Sequence, residues 1–146
     1  MKAISLWQPW ASLIAVGSKR YETRSWSTNH RGLIAIHAAK RWTDDQFALC
    51  WQSPFMEALD VQKIDGGPSA LPRGAIVAIA ELFGCFPTSD LSPDRRERAF
   101  GDWSPGRFAW QFSNVVPLTV AVPAVGRQGI FTIDSSLISQ FERSHP

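Results

Sequence analysis

Short apolar runs separated by polar turns recur along the whole chain. Alternation of apolar and polar side chains with a period of two favours strands. Continuous apolar runs such as residues 32–38 and 74–86 favour buried strands. The pattern predicts strands or extended segments at residues 2–6, 20–26, 32–38, 74–86, 107–112 and 129–133. It predicts helices at residues 10–16, 44–52, 55–61, 92–100 and 135–141.

Start and stop signals support two of these helices. Pro9 suits the first turn of a helix, and Gly17 can cap the end of the same helix. Thr43 is the predicted N-cap of the next helix, with Asp44 and Asp45 in its first turn. The strands and helices lack a regular strand–helix–strand rhythm, so we predict a single α+β domain over residues 1–146, built around a small barrel.

Charge is distributed unevenly, although the formal net charge of +2 is too small to indicate a partner. Residues 1–41 contain seven Lys or Arg and a single acid, Glu22, whereas the rest contains eight basic and twelve acidic residues. This asymmetry predicts a positive face suited to a polyanion. The alternative is that these basic residues only keep the N-terminal strands and turns solvated.

Several classes of protein are disfavoured by what the sequence lacks. Cys50 and Cys85 lie in apolar segments without a CxxC pair, and the three histidines have no metal-binding spacing, so we expect no metal and interpret His37 as a packed core residue. No phosphate-binding or nucleophile-elbow motif is present, so we expect no cofactor. Without a signal peptide or a run of about 20 apolar residues, the expected location is the cytoplasm, away from membranes.

The segment GSKRYETR, residues 17–24, carries the first candidate chemistry. Alternation places Arg20, Glu22 and Arg24 on one face, while Lys19 lies at the bend before the strand. A lysine, a carboxylate and an arginine close together can hold a phosphate or polarise a carbonyl, and Lys19 and Glu22 can serve as base and acid. The alternative is a surface ion-pair ladder contributing under about 1 kcal/mol.

The segment Trp7-Gln8-Pro9-Trp10 is the second candidate. Two indoles flanking an amide can stack on a base and bond to its edge. The alternative is that the indoles plug the end of the barrel.

A loop rich in Gly and Pro, residues 100–110, is the third candidate. Asp102, Ser104 and Arg107 are the polar groups that can face a ligand there. The competing interpretation is a structural turn packed over Trp103.

Taken together, these segments resemble an ASCH domain. The runs SLWQPWASLIAVGSKRYETRSW and RGLIAIHAAK resemble its beginning, and Gly17, Lys19, Glu22 and Arg24 match the family's GxKxxExR signature. The runs LPRGAIVAIAEL and FGDWSPGRFAWQF resemble its central strand and closing segment. The resemblance implies a PUA-like β-barrel of about five or six strands with two to four flanking helices and a cleft lined by the signature.

The resemblance also implies a function. Members of the family are associated with RNA binding, and the domain occurs in transcription coactivators. We therefore interpret the chain as binding RNA, another single-stranded nucleic acid or a modified nucleoside, with ribonuclease activity as an extension of that role.

Two alternatives remain open. One is an amidohydrolase that removes the acyl group from an N4-acylated cytidine. Its subgroup uses Lys, Thr and Glu, but Glu22 stands here in place of the Thr, and the partner acid is Glu97 or Asp102. The other alternative is a non-catalytic protein-interaction module.

Overall fold

The computed structural model describes residues 1–139, which form a six-stranded sheet curled into a half-barrel with four α-helices. The strands are β1 (Lys2–Leu6), β2 (Tyr21–Arg24), β3 (Gly32–Ala38), β4 (Ala75–Pro87), β5 (Phe108–Pro123) and β6 (Ile130–Thr132). The helices are α1 (Trp10–Ala15), α2 (Asp44–Cys50), α3 (Phe55–Leu59) and α4 (Arg95–Ala99). Short 3₁₀ turns occupy Val61–Lys63, Pro68–Ala70, Thr88–Asp90 and Ser135–Ile138. The predicted α+β barrel with five or six strands and two to four helices is confirmed.

The strand order is β2-β5-β4-β3-β1-β6, and every neighbouring pair is antiparallel except β1 and β3. Parallel pairing of β1 and β3 brings the carboxyl ends of both strands to the same edge of the sheet. Trp7 follows β1 at that edge, and Lys40 follows β3. Most of the candidate site residues described below lie near this edge.

Helix α1 fixes the position of the sheet relative to the other helices. Ala11 and Ile14 pack onto the sheet core, whereas Leu13 faces a second apolar cluster with Phe55 and Phe100. Burying each large aliphatic side chain stabilises the fold by about 1.5–3 kcal/mol. The loop that begins at Phe100 is therefore anchored to the same helix that follows Trp7.

The predicted end signals of α1 and α2 are present, whereas the two later helices differ from the prediction. The Gln46 N–H donates to the Thr43 hydroxyl at 3.2 Å, so Thr43 caps α2. Gly17 follows α1 with φ of +83°, a conformation that glycine adopts without a steric penalty. The helix predicted at residues 92–100 begins only at Arg95, because Asp94 is its N-cap. The last predicted helix forms a 3₁₀ turn over Ser135–Ile138, and its end lies outside the described residues.

The predicted end of β5 is wrong. The strand was expected to stop at residue 112 but continues to Pro123, pairing with β4 throughout. Its pairing register shifts at three places, so side chains do not alternate cleanly between faces. Among the described residues, β2 pairs only with residues 108–111 of β5, which leaves the later part as an edge strand. Pro117 is tolerated there because an edge position needs no second hydrogen-bonded neighbour.

None of the helices among residues 1–139 is long and apolar enough to cross a membrane.

Candidate functional site

Two adjoining cavities open beside the ends of β1 and β3. The first, called here the Glu22 lobe, has a volume of about 720 Å³ and lies between Trp7, Trp10, β2 and the loop after Phe100. The second, called the Lys40 lobe, has a volume of about 750 Å³ and lies between the segment after β3 and residues 124–129. Both lobes share Ser5, Trp7 and Arg24 in their walls. Each volume lies within the range of small-molecule sites, roughly 300–1,000 Å³.

An ion-paired row runs from the interior into the Glu22 lobe. The Lys19 Nζ lies 3.6 Å from Glu22 Oε1, and the Arg24 Nη2 lies 3.2 Å from Glu22 Oε2. The exposed fraction of the side chain rises along the row, from 1% for Lys19 to 14% for Glu22 and 24% for Arg24. Alternation along β2 therefore brings Glu22 and Arg24 together as predicted, and both line the lobe.

Lys19 lies behind this wall and is not part of the lining. Its Nζ donates a hydrogen bond to the Phe100 carbonyl at 3.1 Å, on a side chain that is almost wholly buried. The ammonium therefore ties the bend before β2 to the loop that closes the lobe. It also balances the negative charge of Glu22, which holds that carboxylate in place beside Arg24.

Glu97 and Asp102, the two candidate partner acids, occupy different places. Glu97 is buried near Lys19 and accepts a hydrogen bond from the Arg20 backbone N–H. Burial raises the pKa of Glu97, while that hydrogen bond and the Lys19 charge act in the opposite sense. Asp102 is exposed and lines the Glu22 lobe, and hydrogen bonds from the Ser104 hydroxyl and backbone N–H lower its pKa.

The rim of the Glu22 lobe is fixed by Arg107. Its Nη2 donates to the Thr23 carbonyl at 3.2 Å, and its Nε donates to the Asp102 carbonyl at 3.1 Å. Asp102 and Arg107 both line the lobe, as expected from the loop sequence. Ser104 does not line it but instead orients Asp102 through a 2.6 Å hydrogen bond.

The two tryptophans of the WQPW segment both face the Glu22 lobe. Trp7 is 50% exposed and borders both lobes, with the Arg41 guanidinium 4.5 Å from its ring centroid. Trp10 is half-buried and packs edge-on against Phe55. An exposed indole beside a cation can stack on a planar ligand.

Three predicted site residues lie away from the lobes. Gln8 is fully buried, and its amide bonds to Ser12 and to the Pro72 carbonyl, so it has no role at the surface. Pro9 is buried and is the N-cap of α1. Arg20 points elsewhere and pairs with Asp94 at 3.9 Å across a separate small cavity. The structure therefore does not bring Arg20 together with Glu22 and Arg24.

The Lys40 lobe was not predicted from the sequence. Besides Arg24, its cationic lining consists of Lys40 and Arg127, with His37 at its base. No carboxylate of residues 1–139 contributes to this lining. Lys40 and Arg127 are exposed and form no ion pair with those residues. The excess of basic residues in the N-terminal part was the available signal, but it did not identify Arg127 or the shape of the lobe.

No group of three or more His, Cys, Asp or Glu side chains within residues 1–139 is arranged to hold an ion.

The sequence is similar to a known domain family and to two curated proteins. Residues 4–123 match the model of the ASCH domain family. The chain is 30% identical over 139 residues to Activating signal cointegrator 1 of Mus musculus and, equally, of Homo sapiens. Each match covers 92% of this chain and 22% of the relative, so the chain spans about a fifth of the curated relatives it matches.

Solved structures of similar fold come from the ASCH protein of Zymomonas mobilis. Two point mutants of that protein superpose with TM-scores of 0.54 and 0.53 at 13% identity. The first superposition covers 97% of this chain and 96% of the other, and the second covers 98% and 94%. At this level of identity the likeness concerns the fold.

Proposed function

The chain belongs to the ASCH domain family, and on that premise we propose that its two-lobed cleft binds RNA, with one base in the Glu22 lobe and the adjacent phosphates in the Lys40 lobe. The observation that carries this proposal is the junction of the lobes. The exposed indole of Trp7 lies there beside the ion pair of Glu22 and Arg24. The adjoining wall of the Lys40 lobe has cationic but no acidic residues among those described.

The Glu22 lobe suits a nucleobase. Trp7 offers a stacking surface, and stacking of one base on an aromatic side chain contributes about 1–3 kcal/mol. Glu22 can accept hydrogen bonds while Arg24 donates them, and base edges carry neighbouring donors and acceptors. Because Glu22 and Arg24 are already held together at 3.2 Å, little side-chain ordering is needed when a base binds.

The Lys40 lobe suits the phosphates. Lys40 and Arg127 supply positive charge that no acid of residues 1–139 pairs with, and Arg24, which is paired with Glu22, lies beside them. Each phosphate neutralised by such a cation releases bound counterions, which makes affinity depend on salt. The Arg41 guanidinium beside Trp7 adds a further cation at the junction.

The position of the Lys19 ammonium argues against a catalytic role for Lys19 and favours a binding function for the cleft. An amidohydrolase or ribonuclease that uses Lys19 as base requires its Nζ at the substrate. The Nζ instead donates to the Phe100 carbonyl behind the wall of the lobe. We therefore assign Lys19 the role of positioning Glu22 and the loop after Phe100.

Salt dependence of binding tests the proposal. For a short single-stranded RNA, log K is expected to fall with log salt at a slope of about −1.4, since Lys40 and Arg127 each neutralise one phosphate and contribute about −0.7 apiece. Lys40→Gln and Arg127→Gln should each reduce the slope by about 0.7. Fluorescence anisotropy at several salt concentrations measures both quantities.

The matched control is Lys63→Gln. Lys63 is exposed, as Lys40 is, but lines neither lobe. It should leave the slope unchanged. Affinity for RNA that is indifferent to salt and to both lobe substitutions would contradict the phosphate assignment. Absence of any RNA affinity would favour the protein-interaction alternative.

A further inference from the structure

Ser5 and His37 form a hydrogen-bonded pair at the junction of the two lobes. They occupy directly opposed positions on the parallel strands β1 and β3. Their side chains meet with Ser5 Oγ 2.8 Å from His37 Nδ1. Neither residue has a part in the nucleic-acid contacts described above.

The hydrogen-bond partner of His37 Nε2 determines which of the two ring nitrogens carries the proton. His37 Nε2 lies 2.8 Å from the Ala124 carbonyl oxygen, which can only accept a hydrogen bond. Nε2 must therefore carry the proton, so in the neutral ring Nδ1 is free to accept the Ser5 hydroxyl proton. The edge-on contact with Phe131, at 5.9 Å between centroids, holds the ring in this orientation.

The surroundings keep His37 in its neutral form. Its side chain is buried, and burial lowers its pKa, against a smaller opposite effect of the hydrogen bond to Ala124. The charged groups that line the same lobe are Arg24, Lys40 and Arg127. His37 therefore meets the requirement for a general base at neutral pH.

The loop at Gly126 covers the His37 ring and approaches the Ser5 hydroxyl. A Cβ at Gly126 would lie 2.5 Å from His37 Cε1 and 3.2 Å from Ser5 Oγ, so only glycine lets this loop approach the pair. Ser5 itself is half-buried and lines both lobes. The Arg24 Nη2 donates to the Ser5 carbonyl at 2.8 Å, which ties the guanidinium to the Ser5 backbone.

We propose that Ser5 is a nucleophile activated by His37, and that it accepts the acyl group of a carboxylic ester carrying a negative charge. A nucleophile, a base within hydrogen-bond reach and a third group that orients the base are the elements of serine catalysis. The preference for an anionic ester follows from Lys40 and Arg127 in the Lys40 lobe. This site does not require nucleic-acid binding.

The hydrolysis needs only these groups, the ester and one water molecule. Ser5 Oγ attacks the ester carbonyl, and its proton passes to His37 Nδ1. The ester C–O bond then breaks, and the departing alcohol takes that proton. Water next attacks the acyl-serine, with its proton passing to Nδ1, and the acid leaves as Ser5 recovers its hydrogen. Arg24, which lines the same two lobes as Ser5, supplies positive charge to stabilise the oxyanion.

A fluorophosphonate that labels activated serines tests the nucleophile. A P–O bond to Ser5 should form with loss of fluoride, seen as a mass increase mapped to residues 2–6. Ser5→Ala should abolish the adduct, and His37→Gln should slow it at least about 100-fold. Ser18→Ala is the control, because Ser18 lies outside both lobes and donates to the Ala58 carbonyl. No adduct at Ser5 of the folded wild type would overturn the proposal.

Two further measurements keep the test decisive if His37→Gln unfolds. Labelling of wild type should rise with pH to a plateau, with its midpoint below the ordinary histidine pKa of 6.5, because the reactive form carries neutral His37.

4-Nitrophenyl hemisuccinate should be hydrolysed at least about tenfold faster than 4-nitrophenyl butyrate, above the Ser5→Ala background. Labelling that does not change with pH, or equal rates for the two esters, would contradict it. RNA affinity retained in Ser5→Ala separates this site from the proposed function.

Discussion

Lys19→Met is expected to lower the free energy of unfolding by about 2–4 kcal/mol, although it removes only a charge from a side chain of similar length. The Phe100 carbonyl loses its buried donor, and Glu22 and the neighbouring buried Glu97 lose their shared cation. For a chain of this size the change corresponds to a melting temperature lower by roughly 7–13 °C. Thermal or urea unfolding followed by circular dichroism measures it.

Lys63→Met is the matched control for that loss. Lys63 also pairs with an acid three residues away, Asp60, but both side chains are exposed. An exposed pair of this kind contributes about 0–1 kcal/mol. If the two variants lose the same small amount, Lys19 does not hold the loop after Phe100, and its assignment as a positioning residue is wrong.

Trp7→Ala should weaken binding of a short single-stranded RNA by roughly five- to 150-fold, corresponding to about 1–3 kcal/mol of lost stacking. Trp7 is half exposed and stands between the two lobes, so its loss removes the surface on which a base rests. Because the side chain lies largely outside the core, the melting temperature should change little. Anisotropy titrations at fixed low salt, paired with thermal melts, measure both effects.

Trp51→Ala is the control for Trp7. Trp51 is a similarly exposed indole, 45% against 50%, but it lies at the end of α2 and lines neither lobe. Its removal should leave RNA affinity within about twofold of wild type. Equal losses from Trp7→Ala and Trp51→Ala would mean that RNA binds exposed aromatic surface without using the cleft.

Local patterns in the sequence were sufficient to predict the fold class and the main residues of the Glu22 lobe. Alternation in YETR places Glu22 and Arg24 on one face, and their 3.2 Å contact needs no partner from elsewhere in the chain. The capping chemistry of Thr43 is local in the same way. The fold class followed from the family resemblance together with the spacing of strands, and both are properties of the linear sequence.

Long-range contacts account for what the sequence did not reveal. The polar WQPW segment suggested that Gln8 faces a ligand, but the amide is used up by Ser12 and by Pro72, which lies 64 residues away. Arg20 was expected beside Glu22, yet the acids of α4 draw it to another surface. Side-chain partners from distant segments decided both positions.

Strand pairing explains why Ser5 and His37 were missed. His37 is the single polar residue of β3, Ser5 follows two apolar residues in β1, and nothing in either strand indicates the other. Only the parallel register of β1 and β3 sets them opposite each other. Lys40 and Arg127 join the same surface because the loop after β5 folds back over the end of β3.

The central claim is that RNA lies across the two lobes, and photocrosslinking tests it most directly. Ultraviolet irradiation of the wild-type protein with a short single-stranded RNA, followed by peptide mapping, should place crosslinks in residues 7–10 and 124–129. The rival surface is α4, where Arg95, Arg96 and Arg98 are exposed. Crosslinks confined to α4, or none in either lobe at saturating RNA, would contradict the account.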